Sequence, residues 1–185
     1  YFGEHSAEEL CRRFGTPLYV YEEEVVRRQY RQLVDQFEYA ATRIHYAVKA
    51  NYNPQLLRIL LEEGCGADTV SLFEVRLCLE LGFKQEDIIF TGDNSDEAEM
   101  RYCLENQVLI NVGSLDQLNQ LGELAPGSRV CARINPNVGA GHHSHCITGG
   151  PKTKFGIYHD QLDKIVETAA RHRLKLVGLH SHIGT

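Results

Sequence analysis

No apolar run in this chain approaches the length of a membrane span. An excess of basic residues is also missing. Lysine and arginine number 19 against 25 aspartates and glutamates, for a net charge of -6 and a pI near 5.8. That balance argues against binding to nucleic acid or to an anionic membrane surface. None of the six cysteines, Cys11, Cys65, Cys78, Cys103, Cys131 and Cys146, belongs to a C-x-x-C pair. Most sit inside apolar runs, the pattern of reduced, buried thiols and not of a disulfide framework, so the cytoplasm is the expected compartment. No signal peptide is visible, and the chain opens on Tyr1 without a methionine, so a processed or trimmed start is expected. A G-x-G-x-x-G after the first strand pattern is absent too, which weakens a dinucleotide-binding reading.

What is present is an alternation of short β-rich runs and helical patterns. Hydrophobic residues make up 43% and charged residues 24%, enough for one soluble domain with a real core. Leu18 to Tyr21 reads as a first short strand, followed by a charged helix over Glu22 to Phe37. Strand–helix units then repeat. Ile44 to Lys49 leads to a helix from Pro54 to Gly64. Ala67 to Val70 leads to a helix over Leu72 to Leu81, closed by Gly82. Asp87 to Phe90 leads to a helix over Ser95 to Asn106, with Ser95-Asp96-Glu97 as cap and first-turn acids. Gln107 to Asn111 leads to a helix from Ser114 to near Pro126. Arg129 to Asn135 leads to a long loop and a helix over His159 to His172. Leu174 to His180 is the last strand.

Runs such as Val108-Leu109-Ile110 lack clean alternation, as strands of a parallel sheet do. Repeated βα units predict either a doubly wound sheet or a (β/α)₈ barrel. Polar residues stand at the C-terminal ends of successive strands: Lys49, Asp68 with Ser71, Asp93 with Asn94, Asn111, Arg133 with Asn135, and His180 with His182. In a barrel those ends converge on one mouth, which favours the TIM-barrel architecture. About six βα strands are counted where a closed barrel needs eight, so the barrel is expected to be incomplete in this chain.

Lys49 ends the run Ile44-His45-Tyr46-Ala47-Val48-Lys49-Ala50-Asn51. A lysine at the mouth of an apolar strand is expected to be desolvated, which favours the neutral amine. A neutral, positioned amine is what a Schiff base with a carbonyl needs. The plainer alternative is a lysine that snorkels to solvent.

Five segments together resemble one family. They are Tyr46-Ala47-Val48-Lys49-Ala50-Asn51, Gly66-Ala67-Asp68-Thr69-Val70-Ser71, Arg133-Ile134-Asn135-Pro136, Lys154-Phe155-Gly156-Ile157, and Gly178-Leu179-His180-Ser181-His182-Ile183-Gly184-Thr185. The chain resembles the pyridoxal-phosphate decarboxylases of the alanine-racemase-like barrel fold (fold type III), and within them the diaminopimelate decarboxylases. The resemblance implies residues 22–185 as the cofactor-binding barrel, truncated after about six strands. It implies residues 1–21 as an N-terminal segment whose strand joins a C-terminal β domain absent from this chain. Lys49 matches the lysine holding pyridoxal 5'-phosphate as a Schiff base. Asp68 matches an acid near that Schiff base. His182 matches the imidazole stacked on the pyridine ring, and Thr185 stands where the family usually has serine near the phosphate. Arg133 and His180 are assigned support. The implied reaction is decarboxylation of meso-2,6-diaminopimelate to L-lysine and CO2, with a small amino acid as the binding partner and a homodimer as the full-length form.

Departures from the family pattern are visible. Ser71 is followed by Leu72-Phe73-Glu74 where glycines are common. The loop from Asn137 to Lys152 carries Gly139-Ala140-Gly141-His142-His143-Ser144-His145, a form that resembles a subset of diaminopimelate decarboxylases and also some decarboxylases of D-ornithine or D-lysine. A carboxynorspermidine decarboxylase is a further alternative. From another class, a non-catalytic pyridoxal-phosphate-binding barrel is the rival. His142, His143 and His145 lack helical spacing and nearby acids or cysteines, so no metal site is expected. Without the resemblance, Asp68 reads as a helix cap, and His180 and His182 as core histidines. The 185 residues alone are expected to be inactive and to associate through an open strand edge and an apolar interior.

Overall fold

The computed structural model describes residues 2–138, 150 and 153–182. Two helices come first, α1 (Ala7–Phe14) and α2 (Glu23–Val34). Then β1 (His45–Ala47), α3 (Pro54–Glu62), β2 (Gly66–Thr69), α4 (Leu72–Leu81), β3 (Ile88–Phe90), α5 (Glu97–Glu105), β4 (Leu109–Val112) and α6 (Leu115–Leu124) alternate strand with helix. The chain continues through β5 (Arg129–Asn135), β6 (Ile157–Tyr158), α7 (Leu162–Arg171) and β7 (Lys175–His180).

All strand pairings are parallel, and the order follows the chain: β1-β2-β3-β4-β5, with β7 beside β5. A doubly wound sheet reverses strand order at a switch point, whereas a barrel adds each strand beside the one before it. The observed order is the second kind, so the sheet is an open arc of a (β/α) barrel. β6 pairs only with Ile134 and Asn135, beyond the stretch of β5 that β7 uses.

Register explains the blurred alternation of the strands. Ala67, Ile88, Phe90, Ile110, Val112, Val130 and Ala132 face outward and are essentially inaccessible. Leu57 of α3, Val75 of α4, Met100 of α5, Leu118 and Leu121 of α6 and Ile165 of α7 cover them. Each fully buried side chain of that size contributes about 1.5–3 kcal/mol. The opposite face carries Asp68, Ile89, Asn111, Cys131 and Arg133 and bounds a concave space of about 430 Å³. Gly178 belongs to it because a Cβ there would meet Cys131 Sγ at 2.7 Å. The interior of the arc mixes polar Asp68, Thr91, Asn111 and His180 with Ile89, Cys131 and Leu179. Val177 and Leu179 of β7 are exposed apolar residues.

Local signals account for most boundaries. Asn53 caps α3 through Gln55 N at 2.9 Å, with Pro54 in the first turn. Gly82 closes α4 at φ 99°, in the left-handed region. Two expectations need correction. Residues 18–21 form no strand, because no neighbouring strand lends them a ladder among the described residues. Lys49 follows β1 instead of ending it: Val48–Ala50 is a single 3₁₀ turn, in which Val48 is buried and Lys49 is exposed. The expected desolvation of its amine is thus not produced by the described residues.

Candidate active site

The βα connections bring one group of polar side chains to the C-terminal rim of the arc. Lys49 enters from the turn after β1. That turn is held by Asn51 N donating to Val48 O at 3.1 Å. Asn51 Oδ1 then accepts from Asn53 N at 3.0 Å, and its Nδ2 donates to Tyr21 Oη at 2.9 Å. The run from Asn51 to Pro54 thus turns the chain sharply into α3 and leaves Lys49, in the turn before it, exposed.

Asp68 faces the concave side from β2. Thr91, just past β3, donates its hydroxyl to Asp68 Oδ1 at 2.7 Å. Capping of α4 falls to Ser71, whose Oγ accepts from Glu74 N at 3.3 Å, so Asp68 is not the helix cap. Glu74 is an unexpected partner here. It is 6% exposed, and its carboxylate accepts from Val70 N at 2.7 Å. Burial pushes its pKa up, the Val70 N–H and Lys49 pull it down, and Asp68 adds to the rise. The Ser-x-x-Glu spacing of Ser71 and Glu74 was the visible signal for it.

Arg133 on β5 is 9% exposed, lies 3.4 Å from Asp93 and stacks on the Phe155 ring at 4.8 Å. The loops that carry these groups are stapled by two buried amides. Gln117 accepts from Gly113 N and donates to Gly92 O and Ser95 Oγ, tying together the turns after β3 and β4. Asn135 accepts from Asn137 N and Gly150 N, and its Nδ2 lies within hydrogen-bond distance of Gly150 O, Thr153 Oγ1 and Phe155 O.

Two histidines complete the group. His180, at the end of β7, is half-buried and contacts Asn111 on β4 at 2.9 Å. Burial lowers its pKa, Arg133 and His182 lower it further, and Asp68 and Asp93 oppose them. His182 lies past β7 with its ring toward solvent. Partial burial lowers its pKa first, then the charges of Arg133 and Lys49, against Asp68. Lys49 and Asp68 are thus both among the charges that act on the His182 ring. Thr185 lies outside the described residues, as do His142, His143 and His145. Among the described residues no group of three or more histidine, cysteine, aspartate or glutamate side chains is arranged to hold a metal ion.

A parallel arc with an amine, acids and imidazoles on its C-terminal rim defines a barrel built to hold a small molecule at the mouth. The pyridoxal binding domain of the pyridoxal-dependent decarboxylases matches residues 23–185, and the chain belongs to that family. It is similar to the diaminopimelate decarboxylase of Methanothermobacter thermautotrophicus, 44% identical over 186 residues that cover 99% of this chain and 44% of that protein. It is also similar to the diaminopimelate decarboxylase of Escherichia coli, 40% identical over 187 residues, covering 97% of this chain and 43% of that protein. The crystal structure of diaminopimelate decarboxylase from Helicobacter pylori complexed with L-lysine superposes with a TM-score of 0.91 at 30% identity, over 97% of this chain and 47% of that one. The chain thus spans less than half the length of each of these relatives.

Proposed function

We propose that the protein is a pyridoxal-phosphate-dependent carboxy-lyase that converts meso-2,6-diaminopimelate to L-lysine and CO2. The observation that carries this reading is the 44% identity to a diaminopimelate decarboxylase over 99% of this chain; Lys49 and Asp68, both among the charges that act on His182, support it. The residues present fit the cofactor. The exposed primary amine of Lys49 suits its aldehyde, and the concave space of about 430 Å³ suits a molecule of its size. Buried Asn111, which lines that space, keeps a carboxamide oxygen without a partner among the described residues.

When bound, pyridoxal phosphate supplies an electron sink for the pair released as a bond to the substrate's Cα breaks. Lys49 Nζ would hold its aldehyde, and the same amine would carry protons at that place. The Asp68 carboxylate, kept in place by the Thr91 hydroxyl, balances positive charge on the adjoining nitrogen. His182 offers a flat imidazole to the ring. Partial burial and the charges of Arg133 and Lys49 lower the pKa of that imidazole, which favours the neutral ring. Thr185 would place a hydroxyl by the phosphate, a role that rests on its sequence position. A homodimer is proposed from the family resemblance, and a cytoplasmic location from the free, buried thiols of Cys65, Cys78 and Cys103.

The test uses the full-length protein with added pyridoxal phosphate. Wild type is expected to give a visible band that survives gel filtration and is fixed by borohydride. Lys49→Ala is expected to lose both. Adding meso-diaminopimelate to wild type should release CO2 and L-lysine. A folded wild-type protein without the band removes the role of Lys49. A band with release of CO2 from D-ornithine, D-lysine or carboxynorspermidine, but not from diaminopimelate, overturns the substrate.

A further inference from the structure

Beneath the mouth, the arc carries a polar pair where apolar residues would pack at lower cost. Asn111 interrupts an otherwise apolar strand and is 3% exposed. Its Nδ2 lies 2.9 Å from His180 Nδ1, and its Oδ1 has no partner among the described residues. Buried acceptors are seldom left unpaired, and each one that is calls for a reason. Both residues line the concave space, together with Asp68 and Thr91.

The contact dictates a tautomer. A carboxamide N–H donates only to a ring nitrogen without a proton, so Nδ1 is bare and Nε2 carries the hydrogen. A second proton on the ring would break the contact. The surroundings also resist that proton. Arg133 on β5 and His182 past β7 disfavour a cation, Asp68 on β2 and Asp93 past β3 favour one, and burial decides for the neutral ring. His182 stands two residues beyond His180, one step nearer the rim.

We propose that Asn111 and His180 are a positioning pair for the candidate site: Asn111 locks His180 as the neutral Nε2–H imidazole, which underpins His182 and presents its N–H to the concave space shared with Asp68. The pair's role rests on the cofactor reading above. It assigns the supporting histidine a defined protonation state and gives buried Asn111 a function.

The experiment uses full-length protein, with 15N-histidine NMR for the tautomer and titration of the visible band for the pyridoxal phosphate Kd. In wild type, His180 is expected to carry its proton on Nε2 and to titrate below an unperturbed histidine. Asn111→Asp should move that proton to Nδ1. Asn111→Leu and His180→Leu should each raise Kd about five- to tenfold, the worth of one net hydrogen bond. The double variant should be no weaker than the weaker single, because the pair acts as one unit. Should either leucine variant fail to fold by circular dichroism, Asn111→Asp and His180→Gln carry the same titration. A wild-type Nδ1–H tautomer, an unchanged Kd or additive losses overturn the proposal. A wild-type protein that forms no Lys49-dependent band overturns the cofactor reading and this role with it. A band that forms but does not respond to these variants removes the pair alone.

Discussion

Asn135 shows how one side chain can organise a loop. It is 2% exposed, accepts two backbone N–H groups and sits within hydrogen-bond distance of two backbone carbonyls and the Thr153 hydroxyl. Truncation would leave the N–H and C=O of Gly150 without their side-chain partner in a buried setting. Asn135→Ala is expected to cost about 2–3 kcal/mol, visible as a lower urea midpoint with an unchanged m-value. Motif reading placed Asn135 at the site, but most of its bonds were hidden because all its partners except Asn137 lie 15–20 residues away. Lys49 shows the converse. Its position was legible from Tyr46-Ala47-Val48-Lys49, whereas the run left open whether its amine is desolvated or reaches solvent. Burial of a rim residue depends on whatever covers the mouth, and a local run carries no record of that. His180 and Asn111 were each seen as polar strand-end residues. Their contact spans 69 positions and appears only once β4, β5 and β7 lie side by side.

Helices were legible where caps and periodicity agreed. Leu72–Leu81 is observed as read, between the Ser71 cap and the left-handed Gly82. α5 differs by one residue in its capping. Ser95 was expected to take part in the cap, yet Asp96 forms the full capping box: its Oδ1 accepts from Glu99 N at 2.9 Å, and Glu99 returns a bond from Asp96 N at 3.2 Å. Ser95 instead accepts from buried Gln117, a tertiary partner that local sequence does not show. Asp96→Ala is expected to cost about 1 kcal/mol, read as a lowered midpoint in chemical denaturation. Asp96→Ser should recover most of that loss, since a serine hydroxyl can still accept the Glu99 N–H. Strands fared worse when short. β6 has two residues, too few for any period, and it exists because the end of β5 offers it a partner. Residues 18–21 have strand-like composition and no such partner among the described residues, so composition alone misled there.

At the scale of the whole molecule, the sheet and α3–α7 form one apolar core, while α2 contributes no fully buried residue. What docks α2 is an ion cluster with α3 alongside half-buried Val25, Val26 and Tyr30. Arg27 pairs with Glu23, Glu62 and Glu63, and Arg31 pairs with Glu63 at 2.6 Å. The two guanidinium groups, Arg31 first, hold the Glu63 carboxyl down to about 2, below its ordinary value near 4.5. Between those values the unfolded chain binds the proton that folded Glu63 refuses, so stability falls as the pH drops through that window. The lowered pKa values of His180 and His182 act in the same direction from a higher pH, and the raised pKa of Glu74 acts against them. All three groups remain in Glu63→Gln, so the difference between wild type and that variant isolates the cluster. Thermal melts across the acid range are expected to show wild type ahead at pH 6, the gap narrowing below pH 4.5 and closing near pH 2. A gap that stays constant with pH would mean that the glutamine loses packing and not charge. A gap that shrinks with added salt at pH 6 would show in addition that solvent reaches the cluster, as expected for α2 at the edge of the arc.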